Sequence, residues 1–148
     1  MKDFNVENRF GEIIVGENWG TVPYALYVYQ KNLNLSNSEV WLLCWIFMHQ
    51  WTENDSYPSL NALARYSGRC RNHIQKITKS LTEKGLINKK KRNSDNGATA
   101  SNFYDLSPLR EKLEKEIMDD PKSNYSSNQR ERTNTNEAQA TRVAAYRG

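Results

Sequence analysis

Residues 58–87 read PSLNALARYSGRCRNHIQKITKSLTEKGLI, two helical patterns on either side of Ser67-Gly68-Arg69-Cys70. Ser59 is a good N-cap for the first helix, because its hydroxyl can accept from an early backbone N–H, and Leu60, Leu63 and Ala64 then face inward. Gly68 suits a tight turn. The next helix is expected from about Cys70 to Lys84, with Ile74, Ile77 and Leu81 recurring at spacings of three and four as one buried stripe. The opposite face follows by default: Arg71, Asn72, Gln75, Lys76 and Lys79 look outward, with His73 and Thr78 at its edges. Gly85 is a C-cap signal that closes the helix.

Beyond Gly85 the pattern changes to strands. Leu86-Ile87 resumes the core and continues through Asn88 to Arg92, and the partner strand is Ala100 to Leu106, with Tyr104 and Leu106 on one face. Between them lies Asn93 to Thr99, where Asn96-Gly97 favours a reversal with positive φ. Two helices, a tight turn and a basic hairpin read as a winged helix-turn-helix, so the expected class is mainly α with a small β-hairpin (α+β), followed by a polar C-terminal tail.

Upstream, Ser36-Asn37-Ser38-Glu39 is a capping-box signature in which Ser36 accepts from the amide of Glu39 and the Glu39 carboxylate reaches back to the amide of Ser36. The helix it opens should run to about Trp51 and is apolar on nearly every face (Val40, Trp41, Leu43, Trp45, Phe47, Met48), so it must be covered on more than one side. The N-terminal segment is the favoured cover, with a second subunit as the alternative. In that segment Phe10 to Val15 reads as a short strand, Gly16 and Gly20 mark turns, Trp19 anchors the chain, and Pro23 takes the first position of a helix through Gln30 whose tyrosines serve packing and the rim. Ser107-Pro108 opens a short helix with Leu109, Leu113 and Ile117 inward, which packs on the domain or pairs with its copy. The organisation expected is an N-terminal extension packing on the domain (1–32), the winged helix-turn-helix (33–118), and a disordered tail (119–148) too poor in large apolar groups to offset the entropy of ordering.

Charge carries the functional argument. Arg65 to Arg92 holds ten basic residues against the single acid Glu83, in a chain whose net charge is only +4, so the remainder is net acidic by about five. Positive charge concentrated on the second helix and the hairpin is the footprint expected for phosphate. Chemistry of other kinds has no support: His49 and His73 lie on different helices, Cys44 and Cys70 have no metal-ligand or disulfide spacing, and the seven glycines form no phosphate loop. No catalytic residues, metal or cofactor are therefore expected, and the chain reads as binding rather than enzymatic. The run Val40 to Met48 falls short of the ~20 apolar residues that cross a bilayer, no N-terminal signal is visible, and two unpaired cysteines suit a reducing cytoplasm.

The segment Leu33 to Leu106 resembles the helix-turn-helix domain of phage and plasmid replication proteins. The resemblance rests on Leu35-Ser36, Tyr57-Pro58-Ser59-Leu60, Leu63-Ala64, Gly68, Arg71-Asn72, Ile74-Gln75-Lys76, Leu81, Glu83-Lys84-Gly85-Leu86-Ile87 and Asn102-Phe103-Tyr104-Asp105-Leu106. Cys70 stands where that family commonly has a serine N-cap, and His73 where it commonly has threonine. The resemblance implies a sequence-specific double-stranded DNA-binding protein acting in replication initiation at origin repeats, with the tail recruiting a replisome protein. The alternatives are a transcriptional repressor on a promoter palindrome, usually a homodimer, and a winged helix that binds proteins.

In such a module the second helix enters the major groove N-terminus first. Arg69, Arg71, Asn72, His73, Gln75 and Lys76 are the expected base-reading residues, since Arg matches guanine and Asn or Gln matches adenine. Ser59, Asn61, Lys79, Lys89, Lys90, Lys91 and Arg92 are expected at phosphates or, for the wing, the minor groove.

Overall fold

A computed structural model of the chain describes residues 5–17, 20–49, 59–90 and 103–146. In order, these form α1 (Val6–Phe10), α2 (Glu12–Gly16), α3 (Tyr24–Val28), α4 (Asn37–Met48), α5 (Leu60–Ser67), α6 (Arg71–Glu83), β1 (Asn88–Lys90), β2 (Phe103–Asp105), α7 (Ser107–Asp119) and α8 (Asn124–Tyr146). The protein is mainly helical, with one two-stranded antiparallel sheet in which Asn88, Lys89 and Lys90 pair with Asp105, Tyr104 and Phe103.

The centre is built from α4, α5, α6 and the strands. Leu43 of α4 and Ile74 and Leu81 of α6 are fully buried, joined by Leu26 of α3, Leu86 and Ile87 before β1, and Leu109 of α7. Each side chain of that size contributes roughly 1.5–3 kcal/mol when taken from water. The cover for α4 includes α3, whose Leu26 is buried and whose Tyr27 hydroxyl lies 3.1 Å from Cys44 Sγ. On another side α7 packs back on the domain: Asp120, just beyond its end, accepts from the Tyr29 hydroxyl (3.0 Å), and Glu116 accepts from Asn32 (3.0 Å).

Local signals set most boundaries. Ser36 Oγ accepts from Glu39 N at 3.2 Å and Ser59 Oγ from Ala62 N at 3.1 Å, each satisfying an otherwise orphaned helix N–H. At the end of α6, Gly85 adopts φ 66°, its N–H donates to Thr82 O (3.0 Å) and that of Leu86 to Leu81 O (3.1 Å). This is the Schellman arrangement, sealed by the buried Leu81 and Leu86.

Several expectations give way here. Phe10 to Val15 is not a strand: Asn5 Oδ1 accepts from Glu7 N and Asn8 N to start α1, and α2 carries Ile13 and Ile14 85% and 64% exposed. Among the described residues no strand lies beside these β-branched residues, and a helical turn satisfies their backbone locally. Pro23 caps α3 instead of opening it, and α4 ends at Met48 with His49 as its C-cap, short of Trp51. β1 starts at Asn88 because the Leu86 amide is engaged by the end of α6.

The reciprocal half of the Ser36 box is also different. Glu39 is buried and accepts from Ser36 Oγ, Ser80 Oγ and Lys84 Nζ instead of a backbone N–H. Finally, the tail expected to be disordered instead forms α8 over Asn124–Tyr146, started by Ser123 Oγ accepting from Ser126 N (3.1 Å) and exposed along nearly its whole length. Trp19, Trp51 and the Asn93 to Thr99 turn lie outside the described residues.

Candidate nucleic-acid interface

The turn between α5 and α6 is locked by its own side chains. Ser67 Oγ donates to Ala64 O (3.3 Å) and accepts from Arg69 N (3.2 Å), while Gly68 takes φ 66°, a left-handed conformation costly for other residues. Cys70 then occupies the N-cap of α6 with no side-chain cap bond, as a thiol's poor accepting power predicts. The amide of His73 reaches Cys70 O at 3.0 Å, and the positive end of the helix is left at the surface among Arg69, Cys70, Arg71 and Asn72, all exposed.

The two faces of α6 separate cleanly. Ile74, Ile77, Thr78 and Leu81 are buried; Arg71, Asn72, Gln75, Lys76 and Lys79 are exposed, and His73 is half-buried. Thr78, placed by its spacing at an edge, belongs to the inner face: its hydroxyl donates to Ile74 O at 3.0 Å, which satisfies the one polar atom that burial would strand. Along the outer face, Lys79 makes a long contact to Glu83 (3.7 Å) with both side chains open to solvent, a pair of little energetic weight.

Other expected residues lie elsewhere. Asn61 is exposed on the first turn of α5, and the hydroxyl of Ser59 is already engaged by the cap. Lys89 and Lys90 are exposed on β1; Lys90 Nζ also lies 3.3 Å from Asp105. The Asp105 carboxyl is held down at about 2, chiefly by the Ser107 hydroxyl and then the Ser107 amide, with Lys90 a smaller contributor and burial opposing. Lys91 and Arg92 lie outside the described residues. Lys84, counted in the basic total, is turned inward: its Nζ lies 2.8 Å from a Glu39 oxygen, so it adds nothing to the outward charge.

An aromatic cluster also lies at this surface. Trp41 and Trp45 meet edge to face at 6.3 Å, and Trp45 stacks on Tyr66 at 5.8 Å with planes 8° apart and on His49 at 5.8 Å. Arginines sit on two of these rings: Arg65 Cζ is 5.4 Å over Tyr66 and Arg69 Cζ 5.5 Å over Trp41. The only sequence signal was the i, i+4 spacing of the two tryptophans; Tyr66 joins them through the packing of α5 on α4.

Among the described residues no group of His, Cys, Asp or Glu is placed to hold a metal ion, and no helix is long and apolar enough to cross a membrane. No curated protein matches the chain. A family model described as the DnaD N-terminal domain matches residues 22–124.

Proposed function

The chain belongs to the DnaD N-terminal domain family, which is replication-related, and on that premise we propose that it is a winged helix-turn-helix module that binds double-stranded DNA. In this reading α6 is the recognition helix and the β1–β2 hairpin the wing. The observation that carries it is the outer face of α6, where Arg71, Asn72, Gln75, Lys76 and Lys79 are exposed together and, among the described residues, only Lys79 of them is in an ion pair, with Glu83. Side chains of these types match base edges and phosphates, each good bidentate pair contributing about 1–3 kcal/mol of discrimination. Lys89 and Lys90 extend the positive surface onto the wing.

The role we assign is sequence-specific binding at origin repeats of a phage or plasmid in the cytoplasm, by binding and not catalysis. Footprinting across the DNA around its own gene, at near-physiological salt, tests this with the Arg71→Ala variant alongside. A protected repeat array lost in the variant is the expected result; one protected palindrome at a promoter would make the protein a repressor, and no protection would remove the DNA reading.

A protein-binding role is favoured by a separate observation. Tyr24, Tyr27 and Val28 of α3 are exposed, and α8 is a 23-residue helix without a buried face. Helices of that kind have little stability alone, so a replisome protein or a second copy of the chain is the natural cover.

A further inference from the structure

Arg69 is fastened to α4 instead of extending from α6. Its Nη1 lies 3.0 Å from Ser38 Oγ and 2.8 Å from His73 Nε2. A guanidinium has no acceptor, so Nη1 donates to both, with Ser38 Oγ and His73 Nε2 accepting. Both hydrogens of Nη1 are thereby used. The opposite edge, Nε and Nη2, presents two parallel donors with no hydrogen-bond or carboxylate partner among the described residues, on a residue that is exposed.

The fork is also held from below. Its Cζ lies over the Trp41 ring, Trp41 is braced by Trp45, and Trp45 by Tyr66. The backbone is fixed too, since Arg69 N donates to Ser67 Oγ beside Gly68. A guanidinium immobilised in this way loses little freedom on binding, and its planar edge matches two oxygens of one phosphodiester.

We propose that the Nε–Nη2 edge of Arg69 binds a backbone phosphate of duplex DNA beside the groove that α6 enters, with Trp41, Ser38 and His73 as its positioning residues. The inference rests on the DNA-binding reading above and reassigns Arg69 from base edge to phosphate. A base deep in the groove calls for an extended arginine, whereas the contacts to Ser38, His73 and the Trp41 ring draw Arg69 back against α4, which favours a phosphate at the groove's edge. The first turn of α4 thereby becomes part of the interface.

Fluorescence anisotropy of the full chain on two unrelated duplexes, between about 50 and 200 mM salt, tests this with Arg69→Gln, Arg69→Lys and Arg71→Ala. Arg69→Gln is expected to weaken both duplexes by the same factor, about tenfold, and to make the slope of log K against log salt shallower by about 0.9, one phosphate contact. Arg69→Lys keeps the slope and loses affinity, because an ammonium lacks the fork. A loss confined to one duplex returns Arg69 to base reading, and a lowered melting temperature with an unchanged slope makes it only a strut between α4 and α6; either overturns the inference. Binding that Arg71→Ala weakens and Arg69→Gln leaves intact also overturns it, without touching the wider reading. If the wild-type chain binds neither duplex, both fall.

Discussion

Glu39 and Lys84 form the least exposed ion pair among the described residues, joining the first turn of α4 to the end of α6. Ser36 and Ser80 complete the carboxylate's hydrogen bonds, and Lys84 Nζ also donates to Asn34 O. Removing one member strands the other, so Glu39→Ala should lower stability by about 3 kcal/mol, read as a shift in the urea midpoint, whereas a Glu39→Leu, Lys84→Met double variant should recover most of it. If the single variant unfolds with the wild-type midpoint, the pair is not holding these helices. Asp105 makes a pH-dependent contribution. Its carboxyl lies at about 2 in the folded chain against an ordinary value of 3.8, so its stabilisation is complete above about 4 and is lost as pH falls towards 2. Asp105→Asn should therefore reduce stability at neutral pH by up to about 2 kcal/mol and flatten the acid limb, measured by urea unfolding between about pH 2 and 6.

Among the elements, α6 shows how local chemistry and tertiary packing divide the work. Its inner stripe and its C-terminal end follow from residues within four positions of one another: Ile74, Ile77 and Leu81 at helical spacing, and Gly85 at the C-terminus. Its N-cap is the weak point. Cys70→Ser should supply the missing acceptor and raise stability by about 0.5–1 kcal/mol in thermal unfolding, and no gain would mean that the cap amides are already satisfied in solution. At the chain's other end, Ile13-Ile14-Val15 looked like a strand because β-branched residues favour sheets, but that propensity needs a neighbouring strand to act on. The same dependence on neighbours works in reverse for α8, whose polar composition promised disorder and whose helix buries almost nothing.

For the molecule as a whole, the relevant quantity is how much of the basic segment faces one way. Lys84 is turned inward, while Arg65, Arg69, Arg71, Lys76, Lys79, Lys89 and Lys90 remain exposed. If about six basic groups neutralise phosphates, log K should fall against log salt with a slope near −5 in the same anisotropy titration. A slope shallower than about −2 would mean that the exposed charge is not a DNA footprint.

What was legible in the chain itself came from interactions of short range. Ser36, Ser59 and Gly85 mark helix ends, the apolar period picks out the buried side of α6, and the excess of lysine and arginine between positions 65 and 92 identifies a basic surface, because capping, periodicity and charge density are all properties of nearby residues. Only the tertiary structure decided which of those charges are available. Lys84 meets Glu39 across 45 residues, and Arg69 meets Trp41 and Ser38 across a helix and a turn. No spacing rule reaches that far. These partnerships exist because the buried faces of α4 and α6 share one core, and packing those faces together brings side chains to the same rim whatever their distance along the chain.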